Sequence, residues 1–215
     1  MTVEAKICGI NSPEAMRAAV DGGAAFVGLV FYPPSPRSLT PERAAELAAL
    51  APAPVLKVGL VVDMDDAGIE RILAAVPLDL LQLHGSETPE RVRAIRARTG
   101  VATMKAIKVA TEDDVAAAER YVGVADRLLF DAKAPPEMTG ALPGGNALMF
   151  DWQLLGGRRW PCPWMLSGGL DATNVAEAVR ISGAAAVDVS SGVETRPGVK
   201  DPARIRAFLE TVHRL

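Results

Sequence analysis

A length of 215 residues allows one sizeable core, and 49% hydrophobic with 23% charged residues is ordinary globular usage that excludes disorder. A net charge of −3 leaves no basic footprint for nucleic acid or an anionic membrane, so an anionic ligand has to be held by a local site. Cys8 and Cys162 are too few for a disulfide framework or a zinc cluster, and with His84 and His213 as the only histidines no metal is expected. No apolar stretch reaches the ~20 residues needed to cross a bilayer. Strand-like sequence begins at Val3 without a charged n-region and long apolar run before it. No signal peptide is therefore expected, and the expected location is the cytoplasm.

The chain alternates short apolar, β-branched runs with longer Ala-rich, helix-periodic segments. Val3 to Ile10 reads as a first strand that breaks at Gly9, and Ser12-Pro13-Glu14 is an N-cap with Pro at N1, starting a helix that ends near Gly22-Gly23. Phe26 to Phe31 is a second strand, and Thr40-Pro41-Glu42 repeats the start signal for a helix to about Ala51. Strand three runs from Val55 to Val62 and helix three from Asp65 to about Ala75. Strand four spans Leu78 to Leu83, and Ser86-Glu87-Thr88-Pro89 opens the fourth helix. Strand five is Val101 to Ile107, followed by an Ala-rich helix from Thr111-Glu112. Strand six, Arg127 to Asp131, is followed by a long loop rich in Pro and Gly and a short helix from near Asp151. Strand seven is Trp164 to Ser167, and Asp171 is expected to cap a helix to about Ile181. Strand eight is Ala186 to Ser190, and Asp201-Pro202 starts the terminal helix.

Eight strand–helix units share the chain at about 27 residues each, close to a minimal βαβ repeat. Near-continuously apolar strands want both faces covered, as in a parallel sheet wrapped by helices. The expected fold is α/β, a single (β/α)8 TIM barrel over residues 1–215. A doubly wound open sheet is the alternative, disfavoured by the eight-fold count and by the lack of a Gly-x-Gly-x-x-Gly fingerprint after the first strand.

In such a barrel the ligand chemistry collects at the C-terminal ends of the strands. Those exits carry Cys8, the loop after Phe31, Asp63, Gln82 with His84, Asp131, Ser167-Gly168-Gly169 and Ser190-Ser191-Gly192. A lone Cys at a strand exit is either a packed thiol or a reacting group, and only the rest of the site can separate the two. The glycines of Gly168-Gly169 and Ser190-Ser191-Gly192 would let backbone N–H groups approach phosphate oxygens, at the strands where barrels often place phosphate. Arg37 stands in a loop stiffened by Pro33, Pro34 and Pro36, and a fixed guanidinium suits bidentate recognition of a carboxylate. Asp131 ends an apolar strand, so its carboxyl is either a partly desolvated general acid or the start of an Asx turn. His84 either orients a ligand or bonds a neighbouring loop. Lys6 shares the parity of Cys8 and is expected to face the barrel interior, pair with a carboxylate such as Asp188, and lend positive field to the thiol.

With these residues assembled, the chain resembles the phosphoribosylanthranilate isomerase family of tryptophan biosynthesis. The resemblance is carried by Lys6-Ile7-Cys8-Gly9, Gly28-Leu29-Val30-Phe31 with Ser35-Pro36-Arg37, Gln82-Leu83-His84-Gly85, Phe130-Asp131, Phe150-Asp151-Trp152, Leu166-Ser167-Gly168-Gly169-Leu170 with Asn174-Val175, and Asp188 to Glu194 before Pro197-Gly198 and Lys200-Asp201. The motifs run in order over essentially the whole chain. The resemblance implies a cofactor-free Amadori rearrangement of N-(5-phosphoribosyl)anthranilate to the 1-deoxyribulose 5-phosphate derivative. It places Cys8 as general base, Asp131 as general acid, Arg37 on the anthranilate carboxylate and the glycine loops on the phosphate. The implied partner is thus a small phosphorylated substrate, with monomer and homodimer both open.

One stretch departs from the family. Many members read Gly-Gly-Thr-Gly-Lys before Phe-Asp-Trp, whereas this chain has Gly144-Gly145-Asn146-Ala147-Leu148-Met149, preceded by an inserted-looking segment from Ala134 to Thr139. Altered loop closure and phosphate contacts are expected from it. Two other functions compete. An indole-glycerol-phosphate synthase-like enzyme would want a catalytic lysine and glutamate at strand exits. A non-catalytic barrel binding a phosphate ligand would lack the acid or the base.

Overall fold

Why the apolar runs became strands is visible in how they pair. The computed structural model describes residues 2–215 apart from Pro136, Thr139 and Ala141. Eight parallel strands close in sequence order: β1 (Glu4–Cys8), β2 (Phe26–Val30), β3 (Leu56–Val61), β4 (Leu80–Leu83), β5 (Ala102–Val109), β6 (Arg127–Ala132), β7 (Trp164–Leu166) and β8 (Ala186–Val189). Closure is made at β1, where Lys6 stands opposite Phe26 of β2 on one side and Asp188 of β8 on the other. The expected (β/α)8 barrel is the observed fold.

Each strand is buried on both faces, which is why its sequence is apolar rather than alternating. Outward residues such as Ile7, Val27, Leu29 and Leu81 pack under the helices. Inward residues including Phe26, Val58, Leu80, Met104, Leu129 and Met165 fill the lower barrel as a separate cluster. That plug leaves the upper interior to polar side chains.

Around the barrel lie α1 (Pro13–Asp21), α2 (Pro41–Ala48), α3 (Asp66–Ala75), α4 (Pro89–Thr99), α5 (Glu112–Ala116), α6 (Val175–Ser182) and α7 (Pro202–Val212). Ser12, Thr40, Asp65, Thr88 and Asp201 cap their helices through side-chain oxygens, and Pro follows four of those caps. Each such cap is worth about 1 kcal/mol, and Pro at N1 gives up only an N–H that has no intrahelical partner. No helix among the described residues is long and apolar enough to cross a membrane.

Four segments differ from the sequence expectation. The helix after β5 turns into a 3-10 helix at Ala117–Tyr121. Among the described residues between β6 and β7 the only helical piece is a 3-10 turn, Trp152–Leu155, capped by Asp151, near which a short helix was expected to start. Asp171 does not cap α6: its Oδ1 accepts from the N–H groups of Thr173 and Asn174, and the helix starts at Val175. The N-cap Asn174 makes no capping bond either, because its side chain ties the preceding loop together, donating to Gly169 O and accepting from Asp171 N. The fourth difference is a small antiparallel hairpin between β8 and α7, β9 (Glu194–Arg196) with β10 (Val199–Lys200).

Candidate active site

Strand alternation turns Lys6 and Cys8 into the barrel. The Lys6 ammonium is fully buried and donates to Asp188 Oδ1 at 2.8 Å, while Asp188 Oδ2 accepts from Ser167 Oγ at 3.1 Å. The pairing expected of Lys6 is therefore present. Gly28 makes room for it: a methyl group there would lie 2.9 Å from the Cys8 sulfur and 3.2 Å from Lys6 Nζ. Cys8 is buried, and burial pushes its thiol above the ordinary range; the Lys6 charge pulls it down and Asp188 pushes it back up. Burial wins. For Lys6 itself burial disfavours the charge, but Asp188 more than offsets this and its pKa is raised. The positive field reaches the thiol without activating it in the free protein.

Facing the thiol side across the mouth, Asp131 ends β6, buried at 4% exposure. Its Oδ1 accepts from Ala132 N at 3.0 Å, and its Oδ2 lies 3.2 Å from His84 Nε2. Gln82 Nε2 is 2.8 Å from His84 Nδ1. With Gln82 donating, Nδ1 accepts and the imidazole N–H at Nε2 donates to Asp131. The carbonyl oxygen of Gln82 is buried without a hydrogen-bond partner among the described residues. Rotating that amide would let its oxygen accept from an Nδ1–H instead, so Gln82 can serve either tautomer of His84.

Arg37 is also buried, and its guanidinium edge is already engaged. Nε and Nη2 donate to the two oxygens of Glu194 at 2.7 and 2.8 Å, and Nη2 also donates to Gly145 O at 3.2 Å. Bidentate recognition through the Nε edge is thereby used internally; the Nη1 end is the part left for a ligand. Glu194 in turn accepts from Lys200 Nζ at 2.7 Å, and Lys200 donates to Ser190 O and Ser190 Oγ. Burial alone would raise the Glu194 pKa, but Arg37 and Lys200 together hold it below the usual carboxylate value. Burial lowers that of Lys200.

The glycine loop after β7 has φ of +92° at Gly168 and +62° at Gly169, a conformation that L side chains adopt rarely. Among the described residues, the N–H groups of these two glycines have no acceptor. Ser190 and Ser191 line the same cavity. Gly192 does not; its α-carbon is pressed against Leu170 and Asp171, so its missing side chain lets the β7 and β8 loops pack together. Asp63 also lies outside the cavity, where it accepts from Ser86 N and fixes the loop after β4.

One cavity gathers Cys8, Arg37, His84, Asp131, Gly168, Gly169, Ser190 and Ser191, with an apolar wall of Val30, Leu60 and Val62. Residues 142–148 line it as well. A methyl group on Gly144 would lie 2.7 Å from Asp131 Oδ2 and 2.9 Å from His84 Nε2, and one on Gly145 would lie 2.6 Å from Arg37 Nη1. The departing stretch thus contacts the acid and the arginine directly. In the segment from Ala134 to Thr139, Pro136 and Thr139 lie outside the described residues. Cys162 is half-buried against the core below β7, away from the cavity.

Sequence reading gave no role to two functional candidates, Glu194 and Lys200, although both stand in the motif that carries the family resemblance. Both are buried charges on the unforeseen hairpin, whose signal was the Pro197-Gly198 turn between Arg196 and Val199, with Gly198 at φ +80°.

The fold and site define a (β/α)8-barrel enzyme with a thiol and a carboxyl at one mouth, beside a glycine loop whose N–H groups have no acceptor among the described residues. The profile of the N-(5'phosphoribosyl)anthranilate (PRA) isomerase family matches residues 5–211, and the chain belongs to that family. It is 62% identical over 210 residues to N-(5'-phosphoribosyl)anthranilate isomerase of Paramagnetospirillum magneticum, covering 98% of this chain and 97% of the relative. The enzyme of the same name from Rhodospirillum centenum is 63% identical over 209 residues, covering 97% of each. Among solved structures, phosphoribosyl anthranilate isomerase from Thermotoga maritima superposes with a TM-score of 0.88 at 37% identity, covering 99% of this chain and 100% of that one. A phosphoribosyl anthranilate isomerase in complex with reduced 1-(o-carboxyphenylamino)-1-deoxyribulose 5-phosphate gives 0.84 at 35% identity, with the same coverage.

Proposed function

We propose that this barrel, residues 1–215 acting as one domain, converts N-(5-phosphoribosyl)anthranilate to 1-(2-carboxyphenylamino)-1-deoxyribulose 5-phosphate by general acid–base catalysis. Asp131 gives a proton to the furanose ring oxygen, the bond from that oxygen to C1′ breaks, and a protonated Schiff base forms. Cys8 as thiolate takes the proton from C2′, giving an enolamine that tautomerises to the ketose. Atoms balance without a co-reactant. Arg37 holds the anthranilate carboxylate, and Gly168, Gly169, Ser190 and Ser191 hold the phosphate. His84 lines the same cavity and orients Asp131. The two unpaired cysteines are consistent with a reducing, cytoplasmic setting.

The observation that carries this reading is the shared cavity of Cys8 and Asp131, each buried at 4% exposure, with His84 on the carboxyl. Burial favours the neutral thiol in the free protein, so the base is charged when the cationic Schiff base is opposite it, the thiol proton passing to the carboxylate that Asp131 is left with after ring opening. No lysine or glutamate is among the described residues lining the cavity, which argues against synthase-like chemistry. A purely binding barrel would have no use for an acid and a thiol at one mouth. Turnover of phosphoribosylanthranilate, followed by loss of anthranilate fluorescence, tests the reading in wild type, Cys8→Ser and Asp131→Asn. Each variant should lose roughly 10²–10⁴-fold in kcat, the usual weight of a positioned acid or base. Full activity in both variants would overturn the roles, and an inactive wild type would overturn the function.

A further inference from the structure

We infer that Glu194 is a positioning residue that sets the span between the two anion-binding ends of the cavity, and so selects a ligand carrying a carboxylate and a phosphate at that separation. The inference rests on the assignment of Arg37 to the carboxylate and of the β8 loop to the phosphate. Glu194 touches neither anion. One of its oxygens accepts from Arg37 Nε at 2.7 Å and from Lys200 Nζ at 2.7 Å; the other accepts from Arg37 Nη2 at 2.8 Å and from Gly198 N at 3.2 Å. Lys200 carries the connection onward, donating to Ser190 O at 2.9 Å and Ser190 Oγ at 3.2 Å. A continuous chain of charge-assisted bonds therefore runs from the guanidinium at one end to the phosphate loop at the other.

Every link in that chain is buried. The side chains of Arg37, Glu194 and Lys200 are 5%, 3% and 0% exposed, so water cannot substitute for a lost partner. The hairpin that carries two of them is held from outside: Asn11 Nδ2 donates to Gly198 O at 2.8 Å, and a methyl group on Gly198 would lie 2.7 Å from Pro36 O in the loop that carries Arg37. Two cations against one carboxylate leave the cluster with one net positive charge in a dry setting. That charge is directed at the cavity through Arg37, because Lys200 uses its three protons on Ser190 and Glu194. An edge fixed on both sides presents Nη1 at one place only, which is what bidentate pairing within the protein achieves over a mobile arginine.

The test is steady-state turnover of phosphoribosylanthranilate by wild type, Glu194→Gln, Arg37→Met and the double variant. Glu194→Gln keeps the shape and removes the charge. It should raise KM at least 10-fold with kcat within about threefold, since Cys8 and Asp131 are untouched. In the Arg37→Met background the same change should add less than twofold to KM, because Glu194 acts through Arg37. A merely structural residue would lower thermal stability and the active fraction, leaving KM alone. KM unchanged in Glu194→Gln, or equal effects in both backgrounds, overturns the inference while the isomerase reading stands. If wild type does not turn over, it is the isomerase reading that fails. Should Glu194→Gln not fold, Glu194→Asp keeps the charge and retracts it by one methylene, and an unchanged KM there overturns the inference equally.

Discussion

Lys6 Nζ sits 2.8 Å from Asp188 Oδ1 in the barrel interior, with the two side chains 0% and 4% exposed. Neighbouring strands β1 and β8 place them directly opposite one another. A buried ion pair is costly to form from water and costlier to break, because the surviving charge has nowhere to go.

Lys6→Met should therefore cost about 3–5 kcal/mol in stability, leaving Asp188 with only the Ser167 hydroxyl. The thiol of Cys8 should rise further above its ordinary pKa, since the cation that draws it down most is gone. Urea unfolding and the pH dependence of alkylation by iodoacetamide measure the two effects. Unchanged values in both would refute a role for Lys6 in either the core or the thiol.

The raised pKa of Cys8 has a signed consequence for stability. A folded-state pKa above the unfolded value, about 8.5 for a thiol, means the contribution is complete below pH ~8.5 and is lost as pH rises through the folded value. Wild type should lose stability relative to Cys8→Ser between pH 8 and pH 10. Comparing the two proteins cancels the buried lysines, whose titration is common to both. Urea midpoints at the two pH values provide the check, and parallel curves would contradict it.

The contact with Asp131 predicts that His84 holds the acid more than the substrate. Its Nε2 is 3.2 Å from Asp131 Oδ2, and Gln82 fixes the far side of the ring at 2.8 Å. His84→Ala should leave Asp131 free to rotate and lower kcat by roughly 10–100-fold, the loss expected for a misplaced reacting group. KM should change by less than about threefold on the same argument. The opposite split, a raised KM at unchanged kcat, would make His84 a substrate contact.

How far the sequence carried is clearest at particular residues. The strands and most helix starts were legible because apolar runs and Ser-Pro, Thr-Pro and Asp-Pro caps act locally. Cys8 and Asp131 followed from the fold, since a strand exit in a barrel has one destination. At Gly192 the sequence leaves two uses open, because a glycine needed for close backbone packing looks the same as one needed for a phosphate, and the packing against Leu170 and Asp171 appears only in the fold. Asp171 read as a cap because nothing local says that the Asn174 side chain is tied to Gly169 O. The Arg37–Glu194 pair spans 157 positions, and no local pattern reports a partner at that distance.

Gly168 tests the phosphate loop with a control built into the fold. Its φ of +92° strains any L side chain, and a methyl group would lie 2.8 Å from Ala132 N and 3.3 Å from Asp131 Oδ1. Gly100 has a comparable φ of +69° at the end of α4, but a methyl group there meets nothing within 4 Å. Both Gly→Ala variants should lose about 1–2 kcal/mol from backbone strain alone. Only Gly168→Ala should also raise KM, because it closes the approach to the N–H groups at 168 and 169, and lower kcat, because it crowds the acid. Thermal midpoints report the shared strain, and turnover separates the two positions. Equal kinetics in Gly168→Ala and Gly100→Ala would remove the β7 loop from the phosphate site.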